Sequence, residues 1–520
     1  MRLDLAQCGQ YDALHRLIQP TTAKKLDSLK LRILFVTSEA FPLIKTGGLA
    51  DVSGSLPAAL KKLKHDVRIL IPAYPAVLSK IINSRYLATL SNLPNVGAVD
   101  IILGEMPDTG VPVMAIQSPT LYERDGGPYV DKNGKDWQDN AIRFGTLSLV
   151  AAILSSEDSP LKDWAPDLTH CNDWQTGLTP AYMHFMQKNR PQMQQAKSIF
   201  SLHNMAFQGC FPAEWTQRLG LPAESFQMEG LEYYNQLSFL KAGIFYAEGI
   251  STVSATYGKE IQTEAYGFGL QGLLAKRGHE IHGILNGLDT VEWNPATDHY
   301  LDHHYDAKKM AGKAQVKKAL QAKLGLSTES DTPLLGVVSR LTHQKGLDML
   351  LECAETLIQQ HQCQLAVLGA GEKDFEHGFQ ALAHKFPGQV STTIGYNEAL
   401  SHQMMAGSDI FIMPSRFEPC GLNQMYGLRY GTPPVVSNTG GLADSVVDTN
   451  ETSLSNKTAT GFVMPSVSTY QLLATTSRAI ASFHDAKTWK AIQQNGMRQN
   501  LDWSNSAQSY VEMYEEILRK

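Results

Sequence analysis

Short runs rich in Val, Ile, Leu and Phe, each bounded by turn residues and followed by a helical pattern, recur along the whole 520-residue chain. A strand that returns through a helix pairs in parallel with its predecessor, and a parallel sheet needs both faces covered, so this alternation specifies an α/β architecture. In the first half the candidate strands are residues 33–37, 67–71, 113–116, 198–202 and 250–253. In the second half they are 334–338, 365–368, 392–394, 410–413 and 434–437. The division predicts two doubly wound, Rossmann-like units, one at 31–282 and one at 283–500. The join falls where Asn286-Gly-Leu-Asp289 supplies turn residues after a short apolar run. Residues 504–519 place Ala507, Tyr510, Val511, Tyr514, Ile517 and Leu518 at helical spacing, which predicts an amphipathic terminal helix capped by Ser504 within 501–520. Residues 1–30 stand apart as an extension with no assigned role.

Composition narrows the function classes. Charged residues are 18% of the chain, below the globular average of about 25%, while 43% are hydrophobic, so the chain reads as compact bodies rather than solvated tails. A net charge of −6 offers no basic stripe for a phosphate backbone, which argues against nucleic acid. The stretch Leu147-Ser-Leu-Val-Ala-Ala-Ile-Leu154 is typical of the apolar runs and far short of the roughly 20 residues that span a bilayer. The first thirty residues include Asp4, Asp12 and Asp27 and have no apolar h-region, so they do not read as a secretory signal. The six cysteines, Cys8, Cys171, Cys210, Cys353, Cys363 and Cys420, are scattered without a C-x-x-C pair. That pattern points to reduced thiols and a cytosolic setting. The patch His299-Tyr-Leu-Asp-His-His304 lacks zinc-ligand spacing and reads as a solvated loop, so no metal is expected.

In open α/β sheets ligands bind beyond the carboxyl ends of the strands, so the residues that follow each strand carry the search for chemistry. After the first strand Lys45 precedes the pair Gly47-Gly48 at a helix start, where free N–H groups attract an anion. The hexapeptide Thr46-Gly-Gly-Leu-Ala-Asp51 recurs letter for letter as Thr439-Gly-Gly-Leu-Ala-Asp444. Either both copies bring backbone close to an anionic ligand, or the repeat is an inherited turn that serves packing. No Walker loop is present, which weakens an ATPase reading. His203-Asn-Met-Ala-Phe-Gln-Gly209 follows the strand at 198–202. Ser339-Arg-Leu-Thr-His-Gln-Lys-Gly346 brings Arg340 and Lys345 after the strand at 334–338. If the halves face each other, Lys45 on one wall and Arg340 with Lys345 on the other grip one diphosphate and neutralise charge on a leaving nucleoside diphosphate. In Pro414-Ser-Arg-Phe-Glu-Pro-Cys-Gly421, Glu418 is placed to orient sugar hydroxyls, while Cys420 reads as packing or ligand contact rather than a nucleophile. Gly369-Ala-Gly-Glu-Lys-Asp374 begins like a dinucleotide fingerprint but lacks its third glycine.

Taken together, Lys45-Thr-Gly-Gly-Leu49, the His203 segment, the Arg340–Lys345 segment and the Glu418 segment resemble the bacterial glycogen synthase and plant starch synthase family, in order and spacing from about Leu31 to the C-terminus. The resemblance implies a GT-B fold, with two facing Rossmann-like domains, a deep cleft, and a final helix crossing back onto the first domain. It implies a retaining glucosyltransferase that moves glucose from ADP-glucose to the non-reducing end of an α-1,4-glucan, with no cofactor. The short unmatched N-terminal stretch and the start at Met1 favour a bacterial cytoplasm over a plastid. By motif, Lys45, Gly47 and Gly48 would contact the donor and its phosphates, Arg340 and Lys345 the diphosphate, and Glu418 the transferred glucose. His203 would lie beside the anomeric centre, Asn286 would position the sugar, Tyr396 would stack on the base, and Cys420, Gly421 and Leu422 would line the nucleotide sugar. Asp51, Asp173, Trp174 and Asn204 match other acceptor-side or sugar-contacting positions.

Three positions depart from the usual pattern. Asn172-Asp173-Trp174 stands where bacterial members often have His-Asp-Trp. Tyr426 occupies the place of a second Glu found in the wider superfamily, a Glu the glycogen and starch synthase branch also lacks. Asn423 replaces a Thr usual near the phosphates. Two other classes remain in view: a non-catalytic glucan-binding or regulatory relative, and a nicotinamide oxidoreductase, the latter without its full glycine fingerprint. ADP-glucose against UDP-glucose, oligomeric state and product length are not legible from the residues.

Overall fold

The computed structural model describes residues 30–328 and 331–520; the expected 1–30 extension, Lys30 excepted, lies outside them. Eighteen strands are described. The first twelve are β1 (Arg32–Val36), β2 (Asp66–Pro72), β3 (Ile82–Leu93), β4 (Gly97–Glu105), β5 (Pro112–Gln117), β6 (Leu168–Asn172), β7 (Lys197–Leu202), β8 (Cys210–Pro212), β9 (Glu232–Tyr233), β10 (Gln236–Ser238), β11 (Gly249–Thr252) and β12 (Ile281–Gly283). The other six are β13 (Leu334–Val338), β14 (Gln364–Gly369), β15 (Val390–Ile394), β16 (Ile410–Met413), β17 (Pro434–Ser437) and β18 (Phe462–Met464). They form a nine-stranded sheet in the order β12-β11-β7-β6-β1-β2-β5-β4-β3, a six-stranded sheet in the order β15-β14-β13-β16-β17-β18, and a small three-stranded sheet β8-β10-β9. The six-stranded sheet is parallel throughout. The larger sheet is parallel from β12 to β5 and ends in the antiparallel pairs β5-β4 and β4-β3.

Each strand expected from the sequence overlaps an observed one. The central β6 was not anticipated, because Leu168-Thr-His-Cys-Asn172 carries polar residues at buried positions and has no apolar run. Its polar groups are satisfied inside: His170 bonds Tyr514 Oη at 2.8 Å and Ser201 Oγ at 2.6 Å. Tyr514 belongs to the terminal helix, Trp503–Arg519, which starts one residue before the predicted span and is capped by Asp502 rather than Ser504. The Asp502 carboxylate accepts the Ser504 N–H at 2.8 Å, so the better acceptor two residues upstream takes the cap. This helix lays Trp503, Ala507, Tyr510, Val511, Tyr514 and Ile517 against Ile33, Phe35, Leu56 and Leu60 of the first domain. At about 1.5–3 kcal/mol for each large side chain buried, that face contributes roughly 10 kcal/mol, enough to hold the chain end on the domain where the fold began.

The chain crosses between the sheets twice, and the two crossings touch. Leu288 N–H donates to Leu501 O at 2.7 Å, and Ser506 Oγ donates to Leu285 O at 2.6 Å. The helices Ala255–Glu260 and Gly440–Ser445, one from each side, cap each other. Asp444 accepts from Ser254 Oγ, Thr256 N and Thr256 Oγ1 at 2.6, 3.0 and 2.5 Å. Glu260 accepts from Thr439 Oγ1 and Gly440 N at 2.8 and 3.1 Å.

Candidate active site

Both large sheets reverse their strand order once. In the first, β2 lies on one side of β1 and β6 on the other. In the second, β14 lies on one side of β13 and β16 on the other. The crevice at such a switch point is where an open α/β sheet binds ligand. The loops that follow β1, β6 and β7 carry Lys45, Asp173 with Trp174, and His203, and those that follow β13 and β16 carry Arg340 with Lys345, and Glu418. A cavity of about 670 Å³ opens between the two sides and is lined by Lys45, Asp51, Arg340, Tyr396, Leu422 and Asn423 among others. Residues from opposite domains therefore share one wall-to-wall space.

The two copies of the repeated hexapeptide have diverged in use. A Cβ on Gly47 or Gly48 would meet nothing within 4 Å, whereas one on Gly440 would fall 2.0 Å from Glu418 O and one on Gly441 1.9 Å from Cys420 O. The first glycine pair faces open space. The second packs under the Glu418 loop, where Gly441 N–H donates to the Glu418 and Pro419 carbonyls at 3.1 Å and Gly440 N–H to Glu260, so packing is the reading the structure favours for that copy. At the first copy the buried Glu39 carboxylate takes Thr46 N–H at 2.5 Å and Gly47 N–H at 3.2 Å, and it is held by Tyr129 Oη at 2.8 Å. Burial raises the Glu39 carboxyl above its usual range, against the lowering effect of these hydrogen bonds. Gly48 and Leu49 keep the first-turn N–H groups that no helix satisfies internally. Sequence reasoning passed over Glu39 for Lys45, although its place two residues beyond the strand end was a usable signal.

The cations are differently placed. Lys45 Nζ pairs with Asp51 at 2.7 Å, and Lys345 Nζ with Glu418 at 2.5 Å. Arg340 is exposed on the cavity wall and makes no ion pair among the described residues. The Lys345–Glu418 meeting is enforced by Arg416, whose guanidinium forks onto Asp348 at 2.7 and 2.6 Å and donates to His343 O at 2.7 Å. Such a bidentate pair fixes geometry as well as charge, so the loops after β13 and β16 act as one body. Ser415 Oγ adds a second contact to the Glu418 carboxylate at 3.1 Å.

On the opposite side, Asn172 fixes the state of His203. The Asn172 amide donates to Val36 O at 3.0 Å and His170 O at 3.2 Å, which turns its Oδ1 toward His203 Nε2 at 3.1 Å. An amide oxygen only accepts, so Nε2 carries the proton and Nδ1 is bare. Burial lowers the His203 pKa to about 4, which keeps the ring neutral near pH 7. Asp173 sits at φ +58° and ψ 179°, a conformation nearly confined to glycine, and caps the short helix at Trp174. Burial pushes its carboxyl up to about 7, against the Trp174 N–H bond. The Trp174 indole packs edge-on to Phe144, with ring centroids 5.0 Å apart, and is largely enclosed by aromatic rings. Asn204 is half-buried and bonds Ala206 N–H at 3.0 Å.

Asn286 lies beside Cys420 and has a buried Oδ1 with no partner among the described residues. Burial pushes the Cys420 thiol up to about 12, so it stays protonated and unsuited to nucleophilic work. The five described cysteines are free. Gly421 turns the chain into the helix Asn423–Arg429, and Asn423 Nδ2 donates to Val338 O at 2.6 Å, tying that helix start to the end of β13. Tyr396 stands 84% exposed on the cavity edge.

Behind this wall Trp293 is sandwiched between His402 and Tyr426, with ring centroids 3.7 Å apart on each side. His402 Nδ1 meets Asp298 at 2.7 Å, and Nε2 lies 3.6 Å from Glu398. Burial opposes the charged ring, but the two carboxylates outweigh it and raise the His402 pKa to about 9. Glu292, Glu398 and His402 have ligand atoms within 4.8 Å of one another, close enough for a metal ion. An imidazolium in that position already supplies the cationic charge. The i,i+4 spacing of Glu398 and His402 was legible; their meeting with Trp293 and Tyr426 was not.

The first half of the chain, residues 32–276, matches the family described as starch synthase catalytic domain, and residues 321–495 match glycosyl transferases group 1. A glycogen synthase from Nitrosomonas eutropha is 50% identical over 493 residues, 94% of this chain and 97% of the relative. The chain belongs to the glycogen synthase family. It is a glucosyltransferase of glycogen synthesis with a GT-B fold. A glycogen synthase from Dechloromonas aromatica is also 50% identical, over 94% of this chain and 99% of its own length. Among solved structures, the catalytic domain of starch synthase IV from Arabidopsis thaliana, bound to ADP and acarbose, superimposes with a TM-score of 0.83 at 31% identity, covering 94% of this chain and 100% of that one. Among the described residues no helix is long and apolar enough to cross a membrane.

Proposed function

We propose that the cleft transfers glucose from ADP-glucose to the non-reducing end of an α-1,4-glucan with retention at the anomeric carbon. The observation that carries this reading is one cavity that collects Lys45 from the first domain and Arg340 from the second, with the Lys345–Glu418 pair on the same loop system. Cations converging from two walls suit a diphosphate leaving group, whose charge grows as the C1–O bond breaks.

In this reading Lys45, Gly47 and Gly48 approach the donor from one side, and Arg340 and Lys345 hold the diphosphate from the other. Glu418 accepts from hydroxyls of the transferred glucose, and the orphaned Asn286 Oδ1 accepts one more. Cys420, Gly421 and Leu422 line the nucleotide sugar, and the Tyr396 ring stacks on adenine. The main-chain carbonyl of His203 stands at the reacting face, while Asp51, Asp173, Trp174 and Asn204 serve the acceptor side. The incoming C4 hydroxyl attacks on the face that the diphosphate leaves, and its proton passes to the departing phosphate oxygen. The side chains themselves supply the stabilising charge, so the reading calls for no resident metal or cofactor. A bacterial cytoplasm is the setting this reading calls for, and the bacterial source of the relatives is in keeping with it.

The test is ADP release from ADP-glucose with a glycogen primer, run in competition with UDP-glucose. Glycogen binding without ADP release would point instead to a non-catalytic glucan-binding relative.

A further inference from the structure

Three large aromatic side chains stand in solvent on one side of the first domain: Phe207 at 57%, Tyr234 at 73% and Phe268 at 42% exposure. They come from three separate segments that converge on Gln208. Gln208 Nε2 donates to Phe268 O at 3.1 Å, Tyr233 Oη donates to the same carbonyl at 2.5 Å, and the Tyr234 ring meets Tyr233 edge-on with centroids 4.6 Å apart. Phe207 is the residue before Gln208 and lies four residues from His203, so at most about 14 Å of chain separates that ring from the reacting face.

The backbone is strained to present two of these rings. β9 and β10 pair through Tyr233↔Gln236, leaving Tyr234-Asn235 as a two-residue turn with φ of +48° and +63°. Such a turn favours Asn-Gly, and a tyrosine in its first place is unfavourable. Phe268 also sits at φ +48°. Two bulky aromatics hold left-handed conformations while Tyr234 leaves most of its ring, and Phe268 a large part of its own, in solvent. Backbone strain of this kind clusters at active sites, ligand clamps and switch regions.

We propose that Phe207, Tyr234 and Phe268 form a binding platform for the acceptor glucan, several sugar units behind the growing end. The proposal rests on the glucan reading above. A glucan is uncharged, and its sugar rings present flat C–H faces, the surface that an aromatic face covers well. The loop that begins at His203 leads onto the platform, so a long acceptor engaged at the transfer site covers more of these rings than a disaccharide does.

The experiment is affinity electrophoresis of the full chain through gels containing glycogen, without donor, for wild type, Phe207→Ala, Tyr234→Asn and the double variant. Asn keeps the left-handed turn, and Tyr234→Asn is expected to melt at or above the wild-type temperature. The expected result is a glycogen dissociation constant about threefold to tenfold higher per ring removed. In turnover assays the ratio of KM for glycogen to KM for maltose should rise with it. Unchanged retention in the double variant, or an equal loss for glycogen and maltose, overturns the platform. If wild type is retained by glycogen but releases no ADP, and the variants lose retention, the platform stands and the transfer reading falls.

Discussion

Replacing His402 with Gln tests the charge assigned to the centre of the second domain. The ring is buried, faces Asp298 and Glu398, has Glu292 nearby, and stacks on Trp293; Tyr430 Oη bonds the same Asp298 oxygen at 2.5 Å. A pKa raised from 6.5 to about 9 corresponds to roughly 3 kcal/mol of preference for the imidazolium. Glu398 is 35% exposed, so water screens its share, and about 2 kcal/mol is the better figure. Because the folded pKa is raised, this stabilisation is complete below the unfolded value of 6.5 and is lost as pH rises through about 9. Gln can still donate to Asp298 but carries no charge. The variant should therefore melt about 4–8 °C below wild type at pH 6, taking about 2–4 °C per kcal/mol for a domain of this size. The gap should close between pH 6.5 and 9, leaving only a constant remainder from the altered stack. Scanning calorimetry across that range reads both quantities. A gap that does not narrow with pH would refute the imidazolium and leave His402 as packing alone.

Three further outcomes follow from the site. Lys345→Ala and Glu418→Ala should each lower ADP release by at least about a hundredfold, the usual cost of one charge-stabilising donor, with circular dichroism unchanged. Asn172→Asp should place a negative charge beside His203 and raise its pKa from about 4 toward its ordinary value, which moves the acid limb of the pH–rate profile upward; an unmoved limb would detach His203 from the rate. Asp444→Ala removes three hydrogen bonds that cap Ala255–Glu260 from the other domain, and should cost about 1–2 kcal/mol in thermal unfolding without changing donor KM.

The α/β class was legible because a buried parallel strand needs an apolar run and most strands here have one. Where burial is satisfied by hydrogen bonds instead, as in the β6 sequence with His170 and Asn172, the pattern vanishes although the strand is central. The candidate site was readable for a related reason: the loops after β1, β7, β13 and β16 follow recognisable strands, so Lys45, His203, Lys345 and Glu418 could be singled out by position as candidates. Glu39 and Trp293, and the stacking of Tyr426, escaped because they depend on which partner each side chain meets. No spacing in the chain announces that Trp293 stacks between residues 402 and 426. The terminal helix shows the same division, since its apolar face was readable while its cap depended on which of Asp502 and Ser504 reached the first free N–H.

The repeated hexapeptide shows most clearly what sequence identity leaves undecided. Six identical residues at two helix starts offer the same free N–H groups and the same absence of Cβ atoms. What differs is the carboxylate each one meets. Glu39, from the same domain, closes only the first N–H groups of Thr46 and Gly47, so the glycine pair stays open toward the cleft. In the second copy Glu260, from the other domain, takes the Gly440 N–H, the Glu418 and Pro419 carbonyls take the Gly441 N–H, and Asp444 returns the contact by capping the Glu260 helix. One copy therefore keeps its Gly48 and Leu49 N–H groups free beside open space, while the other uses its donors to join the two walls. A cleft between two domains needs both: a place for the ligand on one wall, and a contact that keeps the walls facing each other. That asymmetry leaves the same six residues facing open space in one half and making a domain contact in the other.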